Sequence, residues 1–172
     1  MNNNNAHAFK VSLIGDGGVG KTALLKRSLI GEFVKKYVPT LGVEVHPLDF
    51  KTSAGQIILN IWDCAGQEKF SGLREGYWQN SDLFIIAYDA SAKITAINVQ
   101  KYVEEVRSIV PDAKILIVGC KADIKSRFRA PKFKGIETLE FSAKSCLGLE
   151  KMWVKVMKML VGTELELSAE QA

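Results

Sequence analysis

Residues 15–22 read GDGGVGKT, a complete match to GxxxxGK[ST] that follows an apolar run and precedes a helical pattern. Glycines at Gly15, Gly17, Gly18 and Gly20 let the backbone curl. Successive N–H groups then point inward at the positive end of the next helix, a nest for anionic oxygens. Lys21 would meet the outer phosphates of a bound phosphate chain as a point charge, and the Thr22 hydroxyl would ligate magnesium. The motif alone leaves ATP and GTP, and hydrolase and kinase, undistinguished. A second constellation, WDCAGQEKF at residues 62–70, follows a strand pattern. Asp63 can hold the magnesium through a water, the backbone N–H of Gly66 can approach a terminal phosphate, and Gln67 can orient an attacking water.

These groups need elements to position them. Apolar runs at 9–14, 83–88 and 114–119 have the continuity of strands buried on both faces. Residues 43–51 and 56–62, separated by SAG, form a hairpin pattern in which Ile57, Leu59 and Ile61 share one face. Pro47 places the first of these strands at an edge or on a bulge. Helical patterns cover 21–29, the stripe Val99, Tyr102, Val103, Val106 and Val110, and the stripe Leu149, Met152, Trp153, Val156, Met157 and Leu160. Strands alternating with helices predict an α/β fold with a mostly parallel sheet covered by helices.

The 172 residues, 47% hydrophobic and 24% charged, suffice for one domain with a proper core. Lys and Arg number 23 against 19 acids, and the resulting net charge of +4 is too small to demand nucleic acid or an anionic membrane as partner. Cys64, Cys120 and Cys146 have neither zinc spacing nor a disulfide framework and are expected to be reduced thiols. No secretory signal is expected from the Asn-rich start. No apolar run reaches the ~20 residues a membrane span requires. The end, GTELELSAEQA, offers no cysteine for a prenyl anchor.

With these motifs in their strand and helix context, the chain resembles the small GTPases of the Ras superfamily. Residues 31–48, GEFVKKYVPTLGVEVHPL, and 62–78, WDCAGQEKFSGLREGYW, are most similar to the Ran family, which serves nuclear transport. The resemblance implies a P-loop NTPase fold: a six-stranded, mostly parallel sheet with one antiparallel edge strand and helices on both faces. It implies a disordered 1–8, a G domain over 9–162 and a short tail over 163–172, without the acidic C-terminal tail usual in Ran. By similarity, Asp16, Gly17, Gly18, Val19, Gly20, Lys21, Thr22 and Ala23 contact nucleotide. Phe33 packs on the base, and Val34, Lys35, Lys36, Tyr37, Val38, Pro39 and Thr40 form a first switch. Thr40 joins Thr22 and Asp63 at the metal. Residues 64–78 form a second switch with Gly66, the catalytic Gln67, and Phe70, Leu73 and Arg74 as candidate partner contacts. The NKxD motif of the family corresponds to residues 120–123, where Asp123 would accept from N1 and N2 of guanine and Lys121 would lay its stem over the ring. Ser142, Ala143 and Lys144 match its SAK loop.

Three positions shape the expected behaviour. Cys120 replaces the Asn of the motif, and a thiol is a weak donor and acceptor, so guanine binding should be weaker and exchange faster. Val38 stands where some GTPases carry a catalytic arginine, so unaided hydrolysis should be slow. Cys64, replacing the usual Thr, is a milder change. The implied cofactor is Mg2+, with GTP or GDP as ligand. The implied partners are importin- and exportin-type receptors, an exchange factor and a GTPase-activating protein, acting on a monomer in nucleus and cytoplasm. The alternatives are a cycling-impaired interaction module and a Rab-like traffic GTPase.

Overall fold

A computed structural model describes residues 6–33, 38–65, 74–125 and 127–168. In chain order the elements are β1 (His7–Ile14), α1 (Lys21–Ile30), β2 (Val43–Thr52), β3 (Gly55–Cys64), α2 (Arg74–Trp78), β4 (Leu83–Asp89), α3 (Lys93–Ile109), β5 (Ile115–Cys120), β6 (Glu137–Glu140) and α4 (Leu149–Val161). They form one six-stranded sheet in the order β2-β3-β1-β4-β5-β6. The β2–β3 pair is antiparallel and every other pairing is parallel. This is the α/β architecture expected.

Period-two alternation divides the core between the two faces of the sheet. Val11 and Leu13 of β1, Ile57, Leu59 and Ile61 of β3, and Leu83 and Ile85 of β4 pack with Leu24 and Leu25 of α1 and Met152, Trp153 and Val156 of α4. The intervening Ile14, Phe84, Ile86 and Tyr88 meet Trp78 of α2 and Val99, Val103 and Val106 of α3. With both faces covered, β4 and β5 are buried at every position.

Pro47 lies on β2, at the sheet edge, in register with Asn60 and without a bulge; an edge strand tolerates the missing donor. The sheet begins before Phe9, because His7 and Ala8 pair through backbone with Ile57 and Ile58, which requires no apolar side chain. The stretch expected as a tail is docked through Ser168. Leu165 is buried, Glu166 O accepts from Ser53 N at 3.0 Å, and Ser168 N donates to Lys51 O at 2.9 Å. β6 has no apolar run to announce it. Its four residues, ETLE, are exposed or half-buried on the edge beside β5.

Candidate functional site

The parallel strands all run out at one edge of the sheet, and the segments that follow them converge there, where open α/β sheets bind ligands. β1 ends at Gly15 with φ +143°, where a Cβ would sit 2.1 Å from the Ala87 carbonyl oxygen of the neighbouring strand. Only glycine fits this close approach. Gly20, at φ +118°, caps α1 without a side-chain bond, which leaves the first-turn N–H groups of the helix to an external anion. Gly17 and Gly18 face solvent, whereas Val19 turns into the core.

Lys21 is buried, its ammonium donating to Gly15 O at 2.9 Å and Asp16 O at 2.8 Å. Burial lowers its pKa, and the charge of Asp63 works in the other direction. Asp16 does not offer its side chain to this nest. Its Oδ2 accepts from Asn98 Nδ2 at 2.8 Å and its Oδ1 from Tyr102 OH at 2.9 Å, both on α3.

Three oxygens meet beside Lys21. Asp63, fully buried at the end of β3, accepts at Oδ2 from the Thr22 hydroxyl at 2.8 Å, and Thr22 Oγ1 lies 3.0 Å from Thr40 Oγ1. The other carboxylate oxygen, Asp63 Oδ1, is buried without a hydrogen-bond partner. Burial raises the pKa of Asp63 against the pull of Thr22 and Lys21. An orphaned carboxylate oxygen with two hydroxyls is the donor set of a hard cation such as Mg2+, which takes few protein ligands and completes its shell with phosphate and water. Among the described residues, no group of three or more His, Cys, Asp and Glu competes as a metal site. The three residues expected at the metal are therefore brought together and fit it.

A cavity of about 270 Å³ opens beyond Gly20, walled by Ala23, Phe33, Cys120, Lys121 and Ala143 with Asp123 and Lys144 at its polar end. Lys121 has φ +63°, a left-handed conformation costly for a side-chain-bearing residue. It is held there by ion pairing with Asp89 and by Gly18 O at 3.4 Å. Burial penalises the charge of Asp89, but the Lys121 ammonium and two bonds from Ser91 outweigh it and hold the carboxyl below its usual range. Asp123 is solvent-facing. Ser142, fully buried, donates to Asp123 Oδ1 at 2.6 Å and lowers its pKa. Ser142 thus orients Asp123 through its hydroxyl.

Cys120 is buried between this cavity and the phosphate loop, with its β-carbon 3.3 Å from where a Cβ on Gly20 would lie. Burial pushes its thiol up to about 12, so it stays protonated. It offers the cavity a weak donor. Cys64 is likewise pushed up to about 11 by burial.

Of the other expected residues, Val38 and Pro39 are exposed. Val34, Lys35, Lys36, Tyr37, Gly66, Gln67, Phe70 and Leu73 lie outside the described residues, as do 1–5 and 169–172. Sequence reasoning missed Asp89, Arg27, Ile124, Phe141 and Asn98. Asp89 and Arg27 act through contacts far along the chain, and Ile124 and Phe141 line the cavity as ordinary apolar residues. No local pattern marks any of them. Residues 10–162 match the Ras family.

Proposed function

As the chain belongs to the Ras family and is a GTP-binding small GTPase switch, we propose that it works in nucleocytoplasmic transport as a Ran-like switch. In this reading it cycles between nucleus and cytoplasm and engages importin- and exportin-type receptors when loaded with GTP. Members of the family generally bind GTP or GDP with Mg2+ and interact with exchange factors and GTPase-activating proteins. The Ran-like part rests on residues 31–48 and 62–78, whose sequence carries that similarity across both switches.

One observation carries the nucleotide reading: the orphaned Asp63 Oδ1 stands with the Thr22 and Thr40 hydroxyls beside a phosphate loop, next to a cavity ending in a carboxylate. The carboxylate of Asp123 accepts hydrogen bonds only, and guanine presents two N–H donors on one edge where adenine presents one fewer. Lys121 and Phe33 supply the faces against which a flat ring packs. Lys21 leaves two backbone carbonyls to meet phosphate oxygens, an exchange of neutral acceptors for charged ones. Thr22, Thr40 and Asp63 would hold Mg2+, which would supply charge neutralisation at the phosphates.

Thr40 couples the chemistry to shape. Its hydroxyl reaches Thr22 from the segment leading into β2, so a ligand that includes the terminal phosphate and metal holds this segment in place, and its product holds it less. Gln67 aligns the attacking water. Val38, 61% exposed, brings no cation to the site, so unaided turnover is slow, on the order of 10⁻⁴ s⁻¹, and a partner completes the site.

The test is direct. Purified protein is denatured and the released nucleotide identified by chromatography; GDP or GTP is expected, and an adenine nucleotide would overturn the guanine reading. Protein loaded with a non-cleavable GTP analogue, or with GDP, is then presented to a purified importin-type receptor. Retention of the GTP-analogue form alone supports the transport role; equal or absent retention of both refutes it.

A further inference from the structure

An acid in a loop built for anions needs an explanation. Asp16 sits between two glycines of the phosphate nest, where a free carboxylate would repel the ligand and could fold back onto the loop's own N–H groups. Both of its oxygens are instead taken by α3, Oδ2 by Asn98 and Oδ1 by Tyr102, at 2.8 and 2.9 Å across 82 and 86 residues of chain. Its backbone carbonyl meanwhile receives the Lys21 ammonium at 2.8 Å. One residue therefore joins the phosphate-binding lysine to α3, whose Thr95 hydroxyl separately accepts from Asp89 N at 3.0 Å.

We infer that Asn98 and Tyr102 are positioning residues for the phosphate loop: they hold the Asp16 carboxylate on the α3 side, so that its charge points away from the ligand and its backbone stays where Lys21 and the nest require it. This rests on the reading of residues 15–22 as the phosphate site. The two donors are suited to the task. Tyr102 is buried and Asn98 half-buried, one helical turn apart on the face of α3 that packs against the sheet, so neither can swing away without disturbing the core. The same arrangement makes α3 a lever on nucleotide release. The link from α3 to Lys21 runs through a single side chain, that of Asp16, and includes neither Asp123 nor Ser142.

The experiment measures release of a fluorescent GDP analogue from the full chain with Mg2+ present. Tyr102→Phe, which removes only the hydroxyl, should release about threefold to tenfold faster. Asn98→Asp sets two carboxylates against each other and should release more than about tenfold faster. The reciprocal double variant Asp16→Asn/Asn98→Asp restores donor against acceptor, leaves an acceptor for Tyr102, and should return release to within about threefold of the parent. The preference for GDP over IDP, which reads the base cavity, should be unchanged in all three. Release at the parent rate in both single variants, or a double variant no slower than Asn98→Asp, would overturn the inference. A changed GDP/IDP preference in Tyr102→Phe would also overturn it, because the effect would then not be confined to the phosphate loop. If the parent chain binds no guanine nucleotide, the functional reading itself fails, a result distinct from normal binding with unaltered release.

Discussion

Arg27 Nε donates to the carbonyl of Ala143 at 2.6 Å, tying the middle of the first helix to a loop 116 residues later. The same guanidinium reaches Lys144 O at 3.0 Å and Gly31 O at 2.6 Å. Its planar fork spans the two consecutive carbonyls of the SAK loop, a geometry lysine cannot reproduce. The loop wall of the cavity is thus built on α1, whose N-terminus follows the glycine loop. Arg27→Lys should loosen residues 142–145 and speed GDP release by about tenfold, with hydrogen exchange rising in that loop. Unchanged exchange there would show that Ser142 and its bonds suffice.

Asp63 presents the opposite economy. Its folded pKa is raised, so the folded state favours the proton and the group's contribution to stability falls as pH rises above 3.8. At neutral pH the buried, half-partnered carboxylate is a cost to the ligand-free protein. Asp63→Asn should therefore raise the nucleotide-free Tm by about 2–4 °C while abolishing the added stability that Mg2+ confers on the GDP complex. Calorimetry with and without Mg2+ checks both signs.

Cys120 offers the cavity a thiol, a weak hydrogen-bond partner. Restoring an amide by Cys120→Asn should slow GDP release by about twofold to tenfold, the worth of one hydrogen bond. Stopped-flow release from the two proteins decides this. The protonated state of the thiol is tested separately. With Cys64 and Cys120 buried and pushed up to about 11 and about 12, iodoacetamide near neutral pH should label exposed Cys146 alone, and all three only after unfolding.

Asp89 makes the acid side of the stability curve diagnostic. Its carboxyl is held below 3.8 by Lys121 and Ser91, so its contribution is complete above that value and is lost as pH falls below it through the folded pKa. Asp89→Asn should lower Tm at neutral pH, and the gap from the parent should close below about pH 4. Because Lys121 would also lose the partner that holds its left-handed backbone, GDP release should quicken in the same variant.

The amino-acid sequence by itself determined the strand-to-helix frame and the phosphate loop, because buried strands and a glycine nest leave their mark in consecutive residues. Gly15, Lys21, Thr22 and Asp63 stand where their local patterns put them. β6 went unmarked, since an edge strand of ETLE carries no hydrophobic period. So did Asp89, Arg27 and Asn98, whose partners lie 32, 116 and 82 residues away. Only the folded chain decided that Ser142 serves Asp123 and that Asp16 faces α3. Contacts of this kind depend on which strand ends the sheet brings side by side, and order along the chain does not encode that distance.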